Sequence, residues 1–162
     1  MPPVQVAVCG PRDCTPQEAT HALEVGRLLA ERGACVLCGG GPGVMAAVAE
    51  GVTAANGFVI GIRPDTDPST AREGLSAVIY TGMGEARNAI LINSADAVIV
   101  IGGSWGTLSE LALANRRGTI PIITLGGWKI LDADDNPVDA ALTVDTPEAA
   151  VHEALSRTKP HP

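Results

Sequence analysis

A chain of 162 residues with formal net charge −7 is long enough to bury one core and too short for two ordinary domains. Apolar residues make up 46% of it, yet it holds only two Trp, one Tyr and one Phe, so Ala, Val, Ile and Leu must fill the interior, as they do where helices pack on a parallel sheet. The acidic balance and the scattered arginines exclude nucleic acid as an expected partner, and no apolar stretch reaches the roughly 18 residues of a membrane span.

Residues 4–9 are a short apolar run ending at Gly10-Pro11, and their length and β-branched content predict a buried strand. Thr15-Pro16-Gln17-Glu18 reads as a capping box with proline at the first helical position. Ala22, Val25, Gly26 and Leu29 then recur at helical spacing until Gly33 stops the helix. The pattern repeats with a strand over 34–38, a glycine turn, a helix over 44–55 ended by Asn56-Gly57, and a strand over 58–62. A polar loop, 63–73, leads to a strand near 77–80; a helix over 85–94, a strand over 97–101, a second glycine turn, a helix over 107–117 and a strand over 120–125 follow.

This alternation predicts an α/β, Rossmann-like, doubly wound and mostly parallel sheet with helices on both faces. Beyond it come a polar connection (126–139), an edge strand (141–144) and a helix capped by Thr146-Pro147 that runs through Leu155. Residues 1–157 are expected to form a single domain and 158–162 a frayed tail. The first residues lack the charged segment of a secretory signal, and Cys9, Cys14, Cys35 and Cys38 all lie in the first quarter, where they could not staple the rest. A cytoplasmic protein with reduced thiols is expected.

In an open parallel sheet, ligands bind beyond the carboxyl ends of the strands, where helix N-termini aim unpaired amides at one point. Both glycine clusters fall there. Gly39-Gly40-Gly41-Pro42-Gly43 and Gly102-Gly103-Ser104-Trp105-Gly106-Thr107 each join a strand to a helix, and Gly10 ends the first strand. Without side chains, their amides can approach phosphate oxygens, with Thr107 or Ser104 adding a hydroxyl. Neither cluster is a dinucleotide fingerprint or carries a P-loop lysine. Tight strand-to-helix packing without a ligand would demand the same glycines, though two clusters at equivalent places favour a ligand.

Together, residues 39–45 with Met45, the segment Glu85-Ala86-Arg87-Asn88, and residues 102–110 resemble the signature of the Lonely Guy family of cytokinin-nucleotide phosphoribohydrolases, which includes molybdenum-cofactor-carrier-like proteins. The resemblance spans roughly residues 4–125. It implies a Rossmann-like homodimer that binds a nucleoside monophosphate, with Arg87 and Glu110 at the catalytic positions and Gly10, Gly39, Gly40, Gly41, Gly43, Met45, Asn88, Gly102, Gly103, Ser104, Trp105, Gly106 and Thr107 around the nucleotide. Cleavage of an N-glycosidic bond passes through an oxocarbenium-like state that a carboxylate stabilises while activating water, and an arginine can orient that carboxylate or hold phosphate. A first-turn helix carboxylate with a structural arginine partner is the bland alternative.

The hydrolase pattern reads Pro-Gly-Gly-x-Gly-Thr-x-x-Glu, whereas here Gly102 stands at the proline and Ser104 at the second glycine; Cys38 replaces a common glycine, and Asn88 replaces lysine after Arg87. These departures resemble the carrier-like branch. Some relatives carry a lysine decarboxylase label, but Lys129 and Lys159 are the only lysines and neither lies in a motif, which argues against a Schiff base.

No metal is expected. Cys35 and Cys38, three apart in a strand, point to opposite faces; His21, His152 and His161 are scattered; and the calcium-like Asp132, Asp134, Asn136 run has Pro137 where glycine is required. The 63–67 loop follows a strand end and either meets the base or sugar or is simply solvated. Leu91, Ala95, Leu108, Leu111 and Ala112 fit a dimer seam or core packing equally well, and Trp105 could stack on a base or enter a dimer contact. Two hypotheses follow. One is hydrolysis of a purine-type nucleoside 5′-monophosphate; the other is a non-catalytic carrier of a nucleotide or molybdenum-cofactor-type ligand. Neither requires a cofactor beyond a bound nucleotide or phosphate.

Overall fold

The computed structural model describes residues 2–159. The chain runs β1 (Gln5–Cys9), α1 (Pro16–Glu31), β2 (Cys35–Cys38), α2 (Val44–Ala54), β3 (Phe58–Arg63), β4 (Ala77–Tyr80), α3 (Arg87–Asn93), β5 (Ala97–Ile101), α4 (Trp105–Arg117), β6 (Ile122–Leu125), β7 (Leu142–Val144) and α5 (Pro147–Ser156). The seven strands form one sheet in the order β4-β3-β2-β1-β5-β6-β7. Every pairing is parallel. The expected Rossmann-like α/β fold is the one observed.

Local chemistry sets the boundaries. The capping box at α1 is complete, with Thr15 Oγ1 accepting from the Glu18 amide at 3.1 Å and the Glu18 carboxylate from the Thr15 amide at 2.9 Å. α4 starts at Trp105, two residues before the predicted start, because the Ser104 hydroxyl accepts from the Thr107 amide at 3.2 Å and so acts as N-cap. α3 starts at Arg87 rather than 85, after a tight 3-10 turn over Gly84–Ala86. β6 begins only at Ile122, since Pro121 has no amide for the ladder.

Alternation along the strands feeds two core layers. Val6 and Val8 join α1, α2 and α5 on one face, whereas Ala7 and Cys9 join α3 and α4 on the other. Cys38 lies in the first layer and Cys35 in the second, both buried, so the pair is split across the sheet as its spacing predicts. Leu91, Ala95 and Leu111 are core residues of the second layer, Leu108 packs against it half-buried, and Ala112 is exposed. The segment after β6 folds into a solvated turn in which Asp132 accepts from the amides of Asp134 and Asn136 at 2.9 and 3.0 Å, closed by a bridge between Leu131 and Pro137. Of the tail expected to fray, residues 160–162 lie outside the described residues, His161 among them, while Thr158 donates to the Leu155 carbonyl at 2.8 Å. Among the described residues, no helix is long and apolar enough to cross a membrane, and no group of three or more His, Cys, Asp or Glu could hold a metal ion.

α1 and α2 cross at glycines. A Cβ on Gly51 would sit 1.9 Å from the Leu23 carbonyl oxygen, and one on Gly26 would sit 2.3 Å from that of Val48, so neither methyl fits without moving a helix. Gly51→Ala should therefore lower stability by about 1–3 kcal/mol despite its better helix propensity, read as a fall in the urea midpoint; an unchanged midpoint would mean that the helices are not in this contact.

Candidate active-site cleft

β1 lies between β2 and β5, so the connections leaving β1 and β5 run to opposite sides, and the turns beyond those strands part. Between them opens a cleft of about 830 Å³. Gly10, Gly41, Met45, Arg87, Asn88, Gly103, Ser104, Trp105, Gly106, Thr107 and Glu110 all line it. Gly39, Gly40, Gly43 and Gly102 are not among the residues lining it, and each is closely engaged by its surroundings. Gly39 and Gly40 turn their carbonyls to arginine side chains. Gly43, at φ 69°, is wedged so that a Cβ would lie 2.2 Å from the Arg12 carbonyl oxygen, and one on Gly102 would lie 2.5 Å from the Glu18 carboxylate.

Arg87 is built into the floor. Its Nη1 donates to the carbonyls of Gly39 at 2.8 Å and Ile62 at 2.7 Å, and its Nε donates to Asn88 Oδ1 at 2.8 Å. Asn88, itself buried, donates onward to Ser109 Oγ at 3.4 Å, which links α3 to α4. Arg117 reinforces the link by capping the end of α3 through the carbonyls of Ile92 and Ala95, both at 2.6 Å. A Cβ on Gly39 would come within 3.0 Å of Arg87 Nη1, so the missing side chain admits the guanidinium. Among the described residues no ion pair joins Arg87 to Glu110, and Arg87 Nη2 donates to no protein group.

Glu110, on the second turn of α4, is only 8% exposed at the cleft wall. Burial raises its carboxyl to about 7; a hydrogen bond from the Cys9 thiol and the charge of Arg87 oppose that rise, and the charge of Glu85 adds to it. Cys9 is pushed well up by burial and by Glu110, so it stays a thiol and a donor.

At the head of α4, the Ser104 and Thr107 hydroxyls meet at 3.0 Å, which ties Thr107 to its neighbour. The amides of Trp105 and Gly106 find no protein acceptor among the described residues and are free donors at this turn. The opposite wall holds Arg63 and Asp65, paired at 2.6 Å and shared with Thr70, which the sequence left between ligand contact and solvated loop. They are cleft residues. Glu85 and Ser109, from the segments that carry the resemblance but given no role there, also line it, as does the Pro11–Asp13 turn; the position of that turn just beyond the carboxyl end of β1 is the signal that could have found it.

A doubly wound parallel sheet with a glycine-walled cleft at its switch point is the frame of the Lonely Guy-like proteins. The chain belongs to the SLOG cluster4 family, whose model matches residues 3–151. It is 32% identical over 145 residues to an uncharacterized protein of Archaeoglobus fulgidus, covering 86% of this chain and 95% of that one. It is 31% identical over 138 residues to a cytokinin riboside 5′-monophosphate phosphoribohydrolase of Arabidopsis thaliana, covering 84% of this chain and 54% of the plant protein, so it spans about half of that relative's length. Among solved structures, the molybdenum cofactor binding protein of Rippkaea orientalis matches with a TM-score of 0.86 and 32% identity, over 96% of this chain and 98% of that one.

A carboxyl raised from the ordinary 4.5 to about 7 holds a proton in the folded chain that it loses on unfolding. Its stabilising effect is complete below the ordinary value and disappears as pH rises through 7. Glu110→Gln should match the wild type in stability near pH 5 and exceed it at pH 8 by on the order of 2 kcal/mol, measured as a widening gap in denaturation midpoints; a gap independent of pH would show that Glu110 titrates normally.

Proposed function

We propose that the cleft binds a nucleoside 5′-monophosphate and hydrolyses its N-glycosidic bond, releasing the free base and ribose 5-phosphate. The observation that carries this is Glu110, a carboxyl near 7 on the cleft wall, suited to take a proton from water at neutral pH. Water oxygen bonds to the anomeric carbon as the carbon–nitrogen bond breaks, its electron pair leaving with the base. Glu110 accepts the water proton, its carboxylate steadies the oxocarbenium-like state, and a proton returns to the leaving nitrogen. The amides of Trp105 and Gly106 and the unengaged Nη2 of Arg87 are the donors available to phosphate. The likeness to a plant phosphoribohydrolase supports the reading.

A second reading is a carrier that holds a phosphate-bearing pterin or nucleotide without chemistry. It is favoured by Ser104 at a family glycine, by Arg87 being tied to carbonyls, and by the match to a molybdenum cofactor binding protein.

Purified protein incubated with nucleoside monophosphates, N6-substituted AMP included, should release free base at a rate that climbs with pH to a plateau above a midpoint near 7. Glu110→Gln should lose at least about 100-fold in that rate while keeping its ligand-induced thermal shift. A thermal shift with no base released would select the carrier.

A further inference from the structure

All four aromatic side chains of this chain are exposed to a third or more, and one of them faces the cleft. Trp105 is 79% exposed although it sits in the first turn of α4, whose Thr107 and Glu110 are buried. An indole left this open in a chain that hides its Val, Ile and Leu needs a reason. It is also held. Trp128, from the connection after β6, meets it edge to face with ring centres 5.1 Å apart and planes at 84°. Trp128 in turn lies over Gly103, where a Cβ would come within 2.5 Å of its ring, so this glycine is what lets the second indole approach the head of α4. Trp105 is the cleft's one aromatic surface; the rest of the lining is glycine, proline, a buried methionine and polar or charged groups.

We propose that Trp105, braced by Trp128, is the platform on which the cleft receives the planar fused heterocycle, purine or pterin, of a phosphate-bearing ligand. The inference rests on the function proposed above and adds what reads the ring. Phosphate donors lie at the head of the same helix and the ionisable Glu110 lies one turn further on, so ring, phosphate and bond to be cleaved are served by one element. Stacking on an aromatic side chain is tolerant of a base's edge groups, so the platform selects for a flat ring and leaves the choice among rings to the polar wall formed by Arg63, Asp65 and Glu85.

The test uses the full chain and three probes: AMP, neopterin monophosphate and ribose 5-phosphate, which has the phosphate but no ring. At least one ringed probe should quench tryptophan emission, and Trp105→Ala should weaken its binding about ten-fold, with Trp105→Phe recovering most of the loss and Trp128→Ala falling between. Ribose 5-phosphate should bind wild type and Trp105→Ala alike, and circular dichroism should show both folded. Equal affinity of Trp105→Ala and wild type for the ringed probes, with ribose 5-phosphate still bound, would overturn the platform and leave the proposed function standing. Unchanged ring affinity together with a smaller sedimenting species than the wild type would make Trp105 an interface residue and overturn it equally. Failure of the wild type to bind any of the three would overturn both.

Discussion

Everything at the cleft depends on the placing of β1 between β2 and β5 in a sheet whose strands all point the same way. β1 is paired on both sides, Val6 opposite Val36 and Val8 opposite Ile99, so it cannot shift without breaking two ladders. The chain winds outward from β1 in one direction and later, after crossing back from β4, outward from β5 in the other. The turns beyond β1 and β5 therefore separate, and α3, which carries the return crossing, brings Arg87 under the gap. Gly10 and Gly103, each just beyond the end of its strand, both line it because topology puts them there.

The two residues with chemical potential are kept apart. Arg87 uses its guanidinium to tie the ends of β2 and β3 to α3, and Glu110 is left with a thiol and a distant positive charge. Had the two formed a bidentate pair, the carboxyl would lie well below its ordinary range and would be a poor base at neutral pH. Burial without a direct counter-ion does the reverse and puts the carboxyl where it can exchange protons. The arginine's structural work and the glutamate's raised value are two sides of one arrangement.

The strands and most helices were legible because glycine and proline punctuate the chain at nearly every boundary and each apolar run has strand or helix length. The starts of α3 and α4 were less so. Ser104 reads as one more turn residue among glycines, and only the structure shows its hydroxyl accepting from the Thr107 amide. The cleft was legible in outline, since both glycine clusters, Arg87 and Glu110 carry recognisable spacing. What each residue does there was not. The carbonyls that hold Arg87 belong to residues 48 and 25 positions away, and the burial that sets Glu110 is a property of two packed layers rather than of any motif. Gly39, Gly40, Gly43 and Gly102 are closely packed, and their spacing alone could not have shown it, because close packing and close approach to phosphate demand the same missing Cβ.

Ser104 and Glu110 pull the functional argument in opposite directions, and their energetics differ. At a family glycine, Ser104 accepts the Thr107 amide and meets the Thr107 hydroxyl, which takes those donors from the head of α4 and leaves fewer for phosphate. That weakens grip without removing it, because the amides of Trp105 and Gly106 remain free. Glu110 is the costlier feature. A buried carboxyl without a paired cation destabilises the folded chain at neutral pH. A hydrolase needs that proton acceptor, and needs it near 7. Glu110 is thus the residue on which the proposed turnover rests, and Ser104 the one on which the carrier reading rests.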